Sequence, residues 1–223
     1  MTDLDQVRLK LKRSQDHEFP LRMHYYGLDL TVNEGVLSPH EFTGWRWYTE
    51  NFPPVGGKSI LEIGCGFGLP GLYLAKLGAV SLVTCDINPK AVANTLENAV
   101  RNDIQNVEVI ESDIFSNVPP DRKFDLIFWN CPSDFAPNDY QYRDDLEPGA
   151  IDPGYKLLRR FLSEGPELLR ASGSILLGFP YGQRDDLLWE IIAANDLVCE
   201  LFRSGTHSHS KINYRMFSIR RSS

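Results

Sequence analysis

No run of about 18 apolar residues occurs in the sequence, and a membrane-spanning helix needs roughly that length. The N-terminal residues are charged throughout and contain no apolar segment of the secretory kind, so we expect a cytoplasmic protein with no membrane partner. Basic residues are not in excess either, because 23 Lys and Arg stand against 30 Asp and Glu, a net charge of -7. Since extended nucleic-acid binding requires a basic surface, we do not expect that mode of binding.

Cysteine is scarce, and the four cysteines lie far apart at Cys65, Cys85, Cys131 and Cys199. No CxxC pair occurs, and each cysteine falls within an apolar or strand-like stretch. These features exclude a recognisable disulfide framework and a zinc site, and they favour reduced thiols. Histidines and carboxylates do not cluster at the predicted strand ends, so we expect no metal.

Hydrophobic residues make up 42% of the 223-residue chain, enough for the core of one domain. From Lys58 onward, short β-rich runs alternate with longer helical patterns, which is typical of βα units around a mostly parallel sheet. The predicted strands are residues 59–64, 81–86, 107–113, 124–130 and 172–179, followed by an antiparallel pair at 198–205 and 212–221. The predicted helices are residues 69–78, 89–102, 155–171 and 185–196. This pattern predicts an α/β fold with a seven-stranded sheet and helices on both faces.

Residues 1–57 form a predicted N-terminal extension to the main unit, residues 58–223. We expect residues 1–20 to be a short or frayed helix outside the core, without chemistry of its own. Residues 23–37 alternate apolar and polar side chains around Gly27, with a turn at 33–35, and predict a small hairpin.

A second helix is expected directly after this hairpin. Ser38 suits the N-cap, Pro39 the first helical position and Glu41 the closing residue of a capping box. The helix would end before residues 53–54, where two prolines follow each other.

The first chemical signal is a glycine-rich turn between the first predicted strand and helix, which contains Glu62, Gly64, Cys65, Gly66 and Gly68. Glycines at alternate positions let the backbone approach a ligand closely, and the helix N-terminus offers free amides. The spacing is GxGxG rather than the GxGxxG of dinucleotide-binding folds, and Glu62 would repel a pyrophosphate. A donor that carries cationic groups fits better, although a tight turn without a ligand is the alternative.

Two further carboxylates follow the next two strands. Asp86 can accept hydrogen bonds from both hydroxyls of a ribose. The alternative is an N-cap or Asx-turn at the start of the following helix, and both roles can coexist. Asp113 can accept from an adenine amino group, with Ile87 and Ile114 on either side of the ring, or it can be a turn residue. All these positions follow strand carboxyl ends, where open α/β sheets bind ligands.

The series LEIGCGFG, VTCDINPKAV, ESDIF and FDLIFWNCPS resembles class I methyltransferases that use S-adenosyl-L-methionine (SAM), over roughly residues 25–180. The resemblance implies a Rossmann-like fold and SAM as the cofactor. It assigns the donor site to the glycine turn and to the two carboxylates with their neighbours. The implied cofactor-binding residues are Glu62, Gly64, Cys65, Gly66, Gly68, Asp86, Ile87, Asp113, Ile114 and Asn130.

Asn130-Cys131-Pro132-Ser133 occupies the place where protein-glutamine, rRNA guanine and tRNA adenine N-methyltransferases carry Asn-Pro-Pro-Tyr. By that resemblance the Asn130 oxygen and the Cys131 carbonyl bind an NH2 group, and Pro132 stiffens the loop. Asn130 as a simple strand cap is the alternative. Ser133 replaces the aromatic residue that stacks on a substrate, so other aromatic side chains are candidate substitutes. They are Trp129, Phe135, Tyr140 and Tyr142.

The hairpin also resembles the segment that precedes the catalytic domain in protein-glutamine methyltransferases. We therefore expect residues 1–57 to cover the active site, with Tyr25, Tyr26 and Glu34 near the substrate. The alternative is a hairpin that only covers a sheet edge.

The sequence thus predicts a methyltransferase acting on a nitrogen of a protein side chain or small molecule. An RNA base N-methyltransferase, an O-methyltransferase and a non-catalytic partner subunit are the alternatives. Oxygen methylation would need a base, for which Glu34, His40, His207 and His209 are candidates.

Overall fold

The computed structural model describes residues 3–208 and 212–222, so His209 lies outside the described residues. The described strands are β1 (Leu21–Tyr25), β2 (Leu28–Val32), β3 (Ser59–Ile63), β4 (Ser81–Asp86), β5 (Val107–Glu111), β6 (Phe124–Asn130), β7 (Asp134–Ala136), β8 (Ile151–Pro153), β9 (Leu169–Gly178), β10 (Leu197–Thr206) and β11 (Asn213–Arg221). The α-helices are α1 (Asp3–Ser14), α2 (Gly44–Glu50), α3 (Gly71–Lys76), α4 (Pro89–Arg101), α5 (Lys156–Glu164) and α6 (Asp185–Ala194). Short 3₁₀ turns span Glu147–Gly149 and Gly165–Leu168.

The central sheet has seven strands in the order β10-β11-β9-β6-β3-β4-β5. Strands β3, β4, β5, β6 and β9 are parallel, and β11 pairs antiparallel with both β9 and β10. The predicted α/β class, seven-stranded sheet and antiparallel C-terminal pair are confirmed. Because the parallel strands share one direction, their carboxyl ends meet at one edge of the sheet.

Helices cover both faces of the sheet. Neighbouring residues of a strand point to opposite faces, so each strand contributes side chains to both sides. Leu61 and Ile127 belong to a buried cluster that includes Phe161 of α5 and Ile191 of α6. The residues adjacent to them in β3 and β6 pack instead against α2 and α3. This alternation explains why the parallel strands read as nearly continuous apolar runs.

The N-terminal hairpin is held to α4 by side-chain amides. Asn94 and Asn98 lie one turn apart on α4, and Asn102 caps its C-terminus. All three side chains hydrogen-bond the backbone of β2 or of the residue after it. Asn98 is fully buried; it accepts from the Thr31 amide at 2.8 Å and donates to the carbonyls of Thr31 and Phe67 at 2.7 and 2.8 Å. These side-chain amides thus give hydrogen-bond partners to backbone groups at the edge of the hairpin that would otherwise lack them.

The expectation that the N-terminal helix lies outside the core is wrong. Residues 3–14 form a helix that joins a core, since Val7 and Leu11 are buried beside Ala136 and Ile151. Its partners lie far along the chain, so local pattern could not reveal the packing. The predicted turns near Gly27 and at residues 33–35 are both present.

The second helix begins later than predicted. Ser38 is buried and closes a turn in which its carbonyl accepts from the amides of Glu41 and Phe42. Helix α2 starts only at Gly44, so Ser38 is not its N-cap and Pro39 is not in its first turn.

One helix boundary and one pair of short strands after β6 also differ from the prediction. The helix predicted over residues 155–171 ends at Glu164, because Pro166 breaks it into a 3₁₀ turn and β9 starts at Leu169. The parallel pair β7 and β8 was not predicted, since each strand has only three residues.

We predict that Asn98→Ala lowers the free energy of unfolding by about 3 kcal/mol, because the Thr31 amide and the Phe67 carbonyl lose their side-chain partner, while the Thr31 carbonyl keeps Asn94. Asn117→Ala is the control, since the exposed Asn117 amide makes a single hydrogen bond to the Glu111 carbonyl. Urea unfolding followed by circular dichroism measures both variants. Equal losses would show that the amide ladder does not hold the hairpin.

Candidate functional site

A cavity of about 740 Å³ opens at the carboxyl ends of the parallel strands. Its size suits a cofactor or a drug-sized ligand. The structure brings most of the predicted site residues to its wall. They are Gly64, Cys65, Gly66, Asp86, Ile87, Asp113, Ile114, Trp129, Asn130, Cys131, Pro132 and Ser133.

Asp86 joins the glycine turn to the turn after β4. Its carboxylate accepts hydrogen bonds from the amides of Gly66 and Asn88, each at 3.0 Å. Burial raises the pKa of Asp86, and the backbone hydrogen bonds oppose that rise. Asn88 is the N-cap of α4, since its side chain accepts from the Lys90 amide. The N-cap role considered for Asp86 therefore belongs to Asn88, whereas the hydrogen bond from the Asn88 amide to Asp86 is the Asx-turn that was the other alternative. Asp86 also lies on the cavity wall.

The glycine turn leaves room for a ligand above Gly66. Gly66 has φ of +53°, and a Cβ added there would meet no atom within 4 Å. An L-residue would be strained in that conformation and would project into this space. The turn therefore offers an open backbone surface beside Asp86, as a closely bound donor requires.

Glu62 lies beneath the turn rather than on the cavity wall. It is buried and accepts from the Thr84 hydroxyl at 2.6 Å and from the Gly71 amide at 2.9 Å. A Cβ at Gly71 would come within 2.1 Å of the Glu62 carboxylate, so glycine is required there. Glu62 thus anchors the start of α3 to β3 and β4, and its direct contact with a donor stays a prediction. Gly68 also lies outside the cavity wall.

Asp113 and Ile114 form the opposite end of the wall. Asp113 pairs with Arg160 of α5, with Nη1 and Oδ2 at 2.6 Å. Ile114 is buried and has φ of +53°, which strains a β-branched residue. Arg160 was not predicted, because only the fold brings it to Asp113.

The Asn130 amide is exposed to the cavity at the end of β6. Within residues 3–208 and 212–222, no group hydrogen-bonds this side chain. The residues after it are fixed instead: the Cys131 thiol donates to the Gly178 carbonyl at 3.2 Å, and the Tyr155 hydroxyl donates to the Ser133 carbonyl at 2.8 Å. An available amide thus stands on a rigid loop.

Four predicted substrate residues lie away from the cavity wall. Tyr25 accepts a hydrogen bond from Arg46, Tyr26 donates to Glu50, and Glu34 is exposed in a turn. Phe135 packs on the ring of Tyr155 at a centroid distance of 5.4 Å. Their roles in substrate binding stay predictions that these contacts do not favour.

The alternative bases are also outside the wall. His40 packs on His17, and His207 lies 3.8 Å from Glu50 between Nε2 and Oε2. Among the described residues, no group of His, Cys, Asp or Glu side chains could hold a metal ion. None of the described helices has the length and apolar character to cross a membrane.

Several wall residues were missed. They come from α1, from the segment before α2, and from the loops after β6 and β9: Gln6, Lys10, Arg13, Phe42, Asp134, Tyr181 and Gln183, whereas Tyr142, an expected candidate, also lies on the wall. The spacing of the three α1 residues was a usable signal, since positions 6, 10 and 13 share one helix face. The loop residues carried no such signal.

The buried Glu62 carboxylate should make stability depend on pH. Burial raises its pKa from 4.5 to about 8, so the folded chain keeps a proton that the unfolded chain releases between these values. This contribution is complete below pH 4.5 and is lost as the pH rises through about 8. We predict that the native chain loses stability relative to Glu62→Gln over this range. Urea unfolding at several pH values measures the difference, and a constant difference would contradict the raised pKa.

Comparison with known proteins gives the same assignment as the geometry. The model of the methyltransferase small domain family matches residues 27–142. A candidate protein N5-glutamine methyltransferase of Methanocaldococcus jannaschii is 39% identical over 152 residues, which cover 67% of this chain and 74% of that protein. Ribosomal RNA small subunit methyltransferase C of Vibrio vulnificus is 29% identical over 161 residues, or 71% of this chain and 42% of the relative.

Among solved structures, the Thermus thermophilus 16S rRNA N2 G1207 methyltransferase in complex with AdoMet and guanosine superposes with a TM-score of 0.63 at 18% identity. The match covers 91% of this chain and 50% of that one. At this identity the likeness concerns the fold. The family match and the Methanocaldococcus relative confirm the predicted class of enzyme and cofactor: the chain belongs to the methyltransferase small domain family and is a SAM-dependent methyltransferase.

Proposed function

We propose that this enzyme methylates an amide or amino nitrogen of a protein side chain, and that Asn130 holds the accepting group. The single observation that carries the proposal is the Asn130 amide, exposed in the cavity without a partner among the described residues. Its oxygen can accept a hydrogen bond from an NH2 group, as can the Cys131 carbonyl. Such contacts would orient the nitrogen lone pair without a dedicated base.

The donor would lie along the wall from the glycine turn to Asp113. SAM supplies a methyl group on a sulfonium sulfur. Asp86 would bind the ribose hydroxyls, and Asp113 with Ile114 would bind the adenine, while the open backbone at Gly66 faces the rest of the donor. Ile87 is 48% exposed on the same wall and would cover the other side of the adenine.

We further propose that residues 1–57 cover this site and residues 58–223 form the SAM-binding unit. Residues of α1 and of the segment around α2, such as Gln6, Phe42 and Trp45, are part of the cavity wall, which supports the proposal. The cover would exclude water from the reacting groups.

The name of the Methanocaldococcus relative supports a protein acceptor, whereas the rRNA methyltransferase among the relatives supports an RNA base. The net charge of -7 favours a protein acceptor, because extended RNA binding usually relies on an excess of basic residues to neutralise phosphates. Incubation with methyl-labelled SAM and fractionated cell extract separates the two. Label in protein, stable to mild base as an N-methyl group, is expected; label confined to RNA would replace the protein proposal.

Asp86→Ala should weaken SAM binding about tenfold, because the ribose hydroxyls lose a shared acceptor. Isothermal titration calorimetry measures the affinity, with the exposed Asp121→Ala as control. If affinity stays unchanged, Asp86 serves only to link the Gly66 and Asn88 amides.

Asn130→Ala should leave SAM affinity intact and lower kcat by a factor on the order of 10², measured with the acceptor that incorporates the labelled methyl group. The reason is that the amide contact aligns the nitrogen with the methyl group and gains strength toward the transition state. A kcat within about twofold of the native value would reject the nitrogen mechanism, and an oxygen acceptor would replace it.

A further inference from the structure

Helix α1 presents a polar stripe to the cavity. Gln6, Lys10 and Arg13 share one face and all line the wall, while the neighbouring Val7 and Leu11 are buried. The apolar face of α1 therefore packs on β7 and β8, and this packing directs the polar face toward the cavity.

The docking is reinforced by a buried carboxylate. Glu147 accepts from the Tyr140 hydroxyl at 2.8 Å and from Arg8 Nε at 3.4 Å, and Arg8 Nη2 also donates to the Tyr140 hydroxyl at 2.9 Å. Glu147 is 1% exposed. Because this network ties α1 to the segment before β8, the polar stripe has a defined position.

Lys10 stands out within the stripe because it lacks a close anion. Its ammonium lies 4.3 Å from the centroid of the Phe42 ring, and within the described part of the chain it has no hydrogen bond and no ion pair within 4.0 Å. Asp134 and Glu41 attract it from farther away, and burial lowers its pKa. Arg13, one turn later, is by contrast paired with Glu41 at 2.9 Å.

A half-buried cation without a close anion costs free energy, which an anionic ligand can offset. We propose that Lys10 binds a carboxylate of a ligand in the cavity. The inference rests on the proposed function for the identity of the ligands, which offer two sources. One is the methionine carboxylate of the donor, and the other is a carboxylate on the acceptor beside Asn130.

The donor arm of the test uses two ligands that differ in the carboxylate. S-adenosylhomocysteine carries the amino acid group, and 5′-methylthioadenosine lacks it. Calorimetry measures both against the native chain, Lys10→Met and Lys12→Met, an exposed control on the same helix. If the donor is the source, Lys10→Met weakens the binding of S-adenosylhomocysteine about tenfold more than the binding of 5′-methylthioadenosine, and Lys12→Met changes neither affinity.

The acceptor arm uses protein saturated with S-adenosylhomocysteine, to which L-glutamine or L-glutaminamide, its carboxamide analogue without the carboxylate, is added. NMR shifts of the protein measure binding. If the acceptor is the source, Lys10→Met weakens the binding of L-glutamine about tenfold and leaves the affinity for L-glutaminamide unchanged.

The assignment is overturned if Lys10→Met alters no carboxylate-dependent affinity in either arm, in which case Lys10 serves the fold through Asp134 and Glu41. Thermal unfolding of each variant confirms that the binding data come from folded protein. Failure of the native chain to bind either adenosine ligand would instead contradict the proposed function, so the two failures are distinguishable.

Discussion

One carboxylate organises the ligand side of this enzyme. Asp86 ends β4 and accepts from the amides of Gly66 and Asn88, so it fixes the glycine turn relative to the start of α4. Asn88 in turn donates to the Gly35 carbonyl at 2.8 Å, which extends the link to the N-terminal hairpin. The glycine turn, the start of α4 and the turn at Gly35 are thus connected at the carboxyl end of β4.

The fold and much of the cavity wall could be predicted, since both follow from local pattern. Period-two and period-3.6 hydrophobic repeats define the parallel strands and their helices. Glycines and carboxylates directly after these strands must then lie at one edge of the sheet. Thus Gly66, Asp86, Asp113 and Asn130 reach one cavity although more than sixty residues separate the first from the last.

The errors arise where distant parts of the chain decide the structure. Ser38 has the sequence of a helix cap, yet its carbonyl closes a separate turn and α2 starts later. The hairpin aromatics Tyr25 and Tyr26 lie off the cavity wall and bond to Arg46 and Glu50 of α2, so their expected role at the substrate stays a prediction. Likewise α1 looked like a solvated lead-in, because its packing partners at β7 and β8 have no visible strand pattern.

We propose that the donor lies between the glycine turn and Asp113 with its reacting end toward Asn130. A crystal structure of the protein with S-adenosylhomocysteine tests this placement. We expect the ribose hydroxyls on the Asp86 carboxylate and the sulfur atom facing the Asn130 amide across a space wide enough for one methyl group and its acceptor. A product bound with its sulfur turned away from Asn130 would contradict it.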